Sequence, residues 1–106
     1  MNAEFEVIAE RELTLVSNEK QGSVTVSLGR PYREADGAYL CPFRVKGLGK
    51  ELSREAGGVD GIQAMQLALV MIGAELSLYG ESLRWGTSQS IGFPKSIHDP
   101  ALGDPE

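Results

Sequence analysis

Apolar and polar residues alternate along the first half of the chain. From Phe5 to Leu15 the odd positions read Phe5, Val7, Ala9, Arg11, Leu13 and Leu15, with Glu6, Glu10, Glu12 and Thr14 between them. A period of two predicts a strand with one buried face, and Arg11 in the buried row predicts a bulge or a sheet edge nearby. The polar run Ser17–Gly22 reads as a turn. Val24, Val26 and Leu28 then alternate with Ser23, Thr25 and Ser27 in a second strand that Gly29-Arg30-Pro31 ends. Asp36-Gly37 is a hairpin signal, and Tyr39, Cys41, Phe43 and Val45 form the inward row of a third strand. Pro42 has no amide hydrogen, so no neighbouring strand is expected to need its nitrogen. Gly47-Leu48-Gly49-Lys50 reads as the next turn. Glu51 to Ala56 is expected to form a fourth strand with Leu52, Arg54 and Ala56 on one face.

After Gly57-Gly58, expected to close the β half, the period changes. Asp60 has the spacing of an N-cap, and Gln63 three residues later completes a capping box. The helix is expected to reach Tyr79, with Gly80 in the left-handed position beyond its end. At 1.5 Å per residue it would be roughly 28 Å long, enough to cross a small sheet. Two apolar stripes run along it. One holds Ile62, Met65, Leu69, Ile72 and Leu76, the other Leu67, Met71, Ala74 and Leu78, and Ala64, Ala68 and Glu75 separate them. This arc is about twice the arc of a little over 100° that one sheet face requires. Either the segment Leu83 to Phe93 folds over the second stripe, or a second copy does, with Ala64 and Ala68 permitting close approach.

The fold class expected is therefore α+β: an antiparallel sheet of three to four strands packed by one long helix, plus a C-terminal arm. Residues 1–95 form the single domain, and residues 96–106, rich in Pro, Asp and Gly, form a flexible tail. With 106 residues the chain can bury about two thirds of its surface, so it needs no metal or disulfide staple. Ten Lys and Arg against fifteen Asp and Glu give a net charge of -5, the wrong sign for a nucleic-acid binder. One cysteine makes no intrachain disulfide. The N-terminus is acidic where a signal peptide is basic, and the uncharged stretch Gly61 to Ala74 is shorter than the roughly 20 residues that span a bilayer. A cytoplasmic location, with no membrane partner, follows as the expectation.

Candidate chemistry is sparse. Cys41 lies on an inward row and reads as an inert core thiol. The only histidine, His98, lies in the tail, and no His and Cys cluster has metal-ligand spacing. Glu4, Glu6, Glu10 and Glu12 read as an outward solvated row. Gly49-Lys50 fails the phosphate-loop pattern, because Arg44 stands where its first glycine belongs and Glu51 where its Ser or Thr belongs. Asp60 would repel an anion from the helix start beside Gly57-Gly58. Trp85 reads as a core or helix-packing anchor, with a partner-facing aromatic as the alternative. Arg44 and Lys46 could steer an acidic partner, or simply be balanced by Glu10 and Glu12.

The run Gly58-Val59-Asp60-Gly61-Ile62-Gln63-Ala64-Met65-Gln66-Leu67-Ala68-Leu69, followed by Leu83-Arg84-Trp85 and Gly92-Phe93-Pro94, resembles a small bacterial domain family of unknown function. Its pattern is a GVDxxQAxQLAL helix and an LxW…GFP ending, and the resemblance covers about residues 11 to 94. It implies a bacterial origin and a stand-alone α+β module, and carries no activity and no catalytic residues. The expected function is a non-catalytic protein-interaction module, a homodimer self-associating through its helix. It would have no cofactor, no metal and no catalytic residues, and Leu67, Met71, Leu78, Trp85 and Arg44 would meet the partner. The alternatives are a small acidic immunity or antitoxin-like protein that blocks a basic toxin, and a small-ligand-binding domain or enzyme with a pocket between sheet and arm.

Overall fold

The computed structural model describes residues 5–18 and 20–96. The α+β expectation holds, but the sheet has six antiparallel strands rather than three or four. In chain order the elements are β1 (Val7–Ser17), β2 (Lys20–Gly29), β3 (Tyr32–Arg33), β4 (Tyr39–Lys46), β5 (Leu52–Gly58) and helix α1 (Gly61–Leu76). A 3-10 segment (Ser77–Ser82) and β6 (Leu83–Arg84) follow. The two strands missing from the expected set, β3 and β6, are two residues each, too short for alternation to register. Tail residues 97–106 and His98, like Glu4, lie outside the described residues.

A tight hairpin joins β1 to β2, with Ser17 opposite Lys20 and Asn18 at φ 52, a conformation that Asn tolerates better than most residues. β4 lies at the centre of the topology. One of its edges pairs with β5 from Tyr39↔Gly58 to Val45↔Leu52. The other is shared by β2, from Phe43 to Lys46, and β3, at Tyr39 and Leu40. Pro42 faces the gap between β2 and β3, as its missing donor requires. Gly29 makes room there, since a Cβ on it would lie 2.7 Å from the Pro42 ring and 2.8 Å from Phe5. β6 closes the far side, pairing Leu83 with Leu15 of β1. The register shift in β1 falls between Val7 and Ala9, two residues before Arg11. Because β6 pairs only with Thr14 and Leu15, Arg11 lies on an open stretch of the sheet edge, as its place in the apolar row predicted.

Leu13, Val24, Val26, Cys41, Phe43, Val45 and Ala56 supply the sheet's half of the core, and α1 covers them. The expected cap forms, with its return bond shifted by one residue: Asp60 Oδ1 accepts from the Gln63 N–H at 2.9 Å, and the Gln63 side chain accepts at 2.8 Å from the N–H of Val59, the residue before the cap. Gly57 and Gly58 do not end the β half as a turn. They are the last residues of β5, and a Cβ on Gly58 would sit 2.5 Å from the Ala64 nitrogen. That glycine lets the first helical turn approach the strand.

The rotation of α1 differs from expectation. Its buried row is Ala64, Ala68, Ile72 and Leu76: the first two lie between the two expected stripes, and the last two belong to the stripe expected to face inward. Ala64 and Ala68 therefore meet the sheet and are not available to a second copy. Small side chains at the line of contact bring the helix axis down, so both shoulders reach the core. Met65 and Leu69 pack on it from one side, Leu67 and Met71 from the other. The contacts of α1 with the sheet fall chiefly on β4 and β5. Ile62, placed in the inward stripe by sequence, is 66% exposed.

The α-helix stops at Leu76, three residues before the expected end. Gly80 has the positive φ foreseen for it, but at φ 52 and ψ -130 it takes the first corner of a type II′ turn, not the left-handed helical cap. By length and composition the helical run Gly61–Ser82, longer than the uncharged stretch judged from sequence, is apolar enough to cross a membrane. Its α-helical part, at about 24 Å, falls short of the roughly 30 Å hydrocarbon layer, and one row of it packs on the sheet.

The rotation of α1 sets apart two isoleucines that sequence placed on one stripe. Ile72→Ala, at a fully buried position, should lower the unfolding free energy in urea by about 2–5 kcal/mol. Ile62→Ala should change it by no more than about 0.5 kcal/mol.

Candidate functional site

Arg11 belongs to the same face of β1 as the buried Leu13, two residues along the strand. Its guanidinium lies 3.7 Å from the Trp85 ring centroid and 5.0 Å from that of Phe93. The same group donates to the Ile91 carbonyl at 3.1 Å and to the Gly92 carbonyl at 3.2 Å. One charged side chain thus stacks on two aromatics and holds the backbone between residues 91 and 92. Gly92 is required by this arrangement: its φ is +81, and a Cβ would lie 2.5 Å from the Trp85 ring and 2.7 Å from the Arg11 guanidinium. Trp85 is half exposed and is neither a core residue nor a helix anchor. It is the flat surface on which Arg11 rests, fixed by reciprocal backbone bonds of 2.8 and 2.9 Å between Trp85 and Ser88.

Segment 91–94 passes from Arg11 to the helix, where Phe93 and Pro94 press on Gly73 so closely that a Cβ there would lie 3.0 Å from the Pro94 carbonyl. On the inner side of this strap a cavity of about 160 Å³ is lined by Val26, Leu28, Leu69 and Ile72 among others. On its outer side a larger groove of about 680 Å³ lies between the strap and the helix end.

The five sequence-derived partner residues do not share one surface. Leu67 and Met71 are half-buried against the core, and Leu78, in the 3-10 segment, is 80% exposed. Trp85 lies under Arg11. Arg44 occupies the helix-free face of the sheet, with its guanidinium 3.9 Å above the Phe5 ring and its Nε 3.8 Å from Glu51. Glu10 and Glu12 do not balance it. They accept hydrogen bonds from Ser27 at 3.1 Å and Thr25 at 2.5 Å on the neighbouring strand.

Around Arg44 a cavity of about 340 Å³ is lined by Phe5, Tyr32, Pro42, Ser53, Arg54 and Glu55. Its charges are internally satisfied. Tyr32 donates to Glu55, and Arg54, which pairs across with the buried Phe43 and so belongs to the helix side, reaches Glu75 of α1 at 2.8 Å. The hydrogen bond to Glu55, aided by burial and by the charges of Glu55 and Glu34, pushes the Tyr32 hydroxyl up to about 12. Cys41 is buried, with its Sγ 3.4 Å from the Gly29 carbonyl, and loss of solvation pushes its thiol from 9.0 up to about 11. Among the described residues no group of three or more His, Cys, Asp or Glu could hold a metal ion.

The family model of a domain of unknown function, DUF6968, matches residues 9–95. The chain belongs to this family. The match takes in β1, the capping box, α1 and the strap, so the Arg11 clamp lies within the family domain. No curated protein and no solved structure matches the chain. The family description assigns no activity, and none is carried to any residue.

Arg11 was visible in the sequence only as an interruption of an apolar row. Its partners lie about 80 positions away, beyond any local pattern. Removing its head group should free the strap: Arg11→Gln is expected to shift the emission of Trp85, the only tryptophan, to the red and to raise the hydrogen exchange of residues 89–94 above wild type. Unchanged emission and exchange would show that the clamp carries no weight.

The thiol gives a second test. A group with a raised native pKa stabilises the fold fully below its unfolded value, and that contribution fades as pH rises through the native value. The urea midpoint should therefore fall between pH 9 and about 11. Cys41→Ala should flatten the curve between pH 9 and 10 and leave the fall expected from Tyr32 between pH 10 and about 12.

Proposed function

We propose that the chain is a non-catalytic interaction module that self-associates through the outer face of α1. The observation that carries this reading is the absence of charge on that face. Between Gly61 and Leu76 the only ionisable side chain is Glu75, and Arg54 neutralises it from β5. The residues turned away from the sheet are Gln63, Gln66 and Val70, flanked by the exposed parts of Leu67 and Met71 and followed by Leu78. A helix that faces only water ordinarily carries charges on its outer side, whereas the centre of a protein interface is depleted of them. An antiparallel second copy meets such a face without like-charge repulsion. The buried, poorly ionised Cys41 supports the non-catalytic part, because a nucleophile needs its thiolate and an approach path.

In this reading Leu67, Met71 and Leu78 contribute to the interface. Trp85 is engaged by Arg11, and Arg44 lies on the opposite face of the sheet. Light scattering coupled to gel filtration should give a mass twice the 11.4 kDa of the chain. Leu78→Glu, at an exposed position, should return the monomer mass with little change in thermal stability. A wild-type protein that stays at 11.4 kDa as its concentration rises would overturn the proposal.

A further inference from the structure

We infer that the groove between the strap and the end of α1 binds a small amphipathic monoanion, with its apolar body against Ile91 and Phe93 and its charged end at Lys95. The groove of about 680 Å³ falls in the range of small-molecule sites. Its space has a cause in the sequence. Apart from Leu76, whose side chain is buried in the core, the helical wall is made of Gly73, Ala74, Ser77 and Gly80, none large enough to fill it, and opposite them the strap presents Ile91, Phe93 and Pro94. The Arg11 guanidinium holds the carbonyls of Ile91 and Gly92 and so fixes the strap, which meets this wall at Gly73.

The charge of the lining selects the ligand. This chain has fifteen acidic residues against ten Lys and Arg, yet among the described residues no carboxylate lines the groove, and the one charged residue there is Lys95. Lys95 makes no ion pair with any described residue. The cavity at Arg44 is the contrast: its arginines are paired to Glu51 and Glu75, so it offers an anion little net attraction. A trough lined among the described residues by no carboxylate and ending at the Lys95 ammonium fits an aliphatic or aromatic body with one carboxylate or comparable anion. This goes beyond self-association and does not depend on it.

Decanoate is the probe. Titration calorimetry should show saturable binding of one decanoate per chain, and amide shifts in NMR should centre on Gly73, Ala74, Gly92 and Lys95. Lys95→Glu, at an exposed position, should weaken binding about tenfold or more, and Lys95→Arg should retain it. Leu78→Glu should bind as wild type, which separates a failure here from a failure of self-association. Absence of saturable binding, shifts centred elsewhere, or equal affinity in Lys95→Glu would overturn the inference.

Discussion

The close approach of one helix to one sheet governs the rest of the molecule. Ala64 and Ala68 present only methyl groups at the line of contact, and Gly58 has no Cβ to hold the first turn away. The helix therefore sits low enough for both its shoulders to touch the core. Met65 and Leu69 on one side and Leu67 and Met71 on the other are partly buried by this depth alone. Larger residues in the central row would lift the axis and bare both shoulders, since a packed interior has little free space into which extra volume can go. Ile72 and Leu76 are accommodated because they come where the helix has run past the Gly58 end of β5. The residues left outside are the uncharged ones that give α1 its unusual outer face.

A second constraint acts at the other end of the sandwich. After β6 the chain makes a short turn and returns across the helix without joining the sheet. Among the described residues, Arg11 supplies the side-chain hydrogen bonds that fasten its backbone between Ile91 and Gly92. A guanidinium suits this position because it can donate in its own plane while stacking through its face. Lysine would keep the charge and lose both geometries. The strap divides the space beside the helix into a small inner cavity and a broad outer groove, so one residue on β1 determines the shape of a surface formed by residues far along the chain.

Much of this was legible in the sequence, for identifiable reasons. The four longer strands announce themselves by alternation, and Asp60 with Gln63 marks the helix start because capping is a local interaction. Helix rotation was not legible. A helical wheel weights residues by hydrophobicity, so it favoured Ile62 and Leu69 over Ala64 and Ala68, whereas the contact row is chosen by size. The strands β3 and β6 were missed because two residues each are too short to show a period. The Arg11 clamp was invisible for another reason: its partners are joined to it by tertiary structure alone. Arg44 was correctly placed on the outer face of its strand, but its partners proved to be Phe5 and Glu51 rather than Glu10 and Glu12, because strand pairing, not strand parity, decides which outward residues meet.

The decisive measurement is the accessibility of individual methyl groups along α1 to a soluble paramagnetic agent, read by NMR. If the small-residue row faces the sheet, the methyls of Ala64, Ala68 and Ile72 remain sharp while those of the exposed Ala35 and Ala38 are broadened. Ala64 and Ala68 signals broadened as strongly as those two would mean that the helix is turned the other way, and the depth of packing on which the fold rests would be refuted.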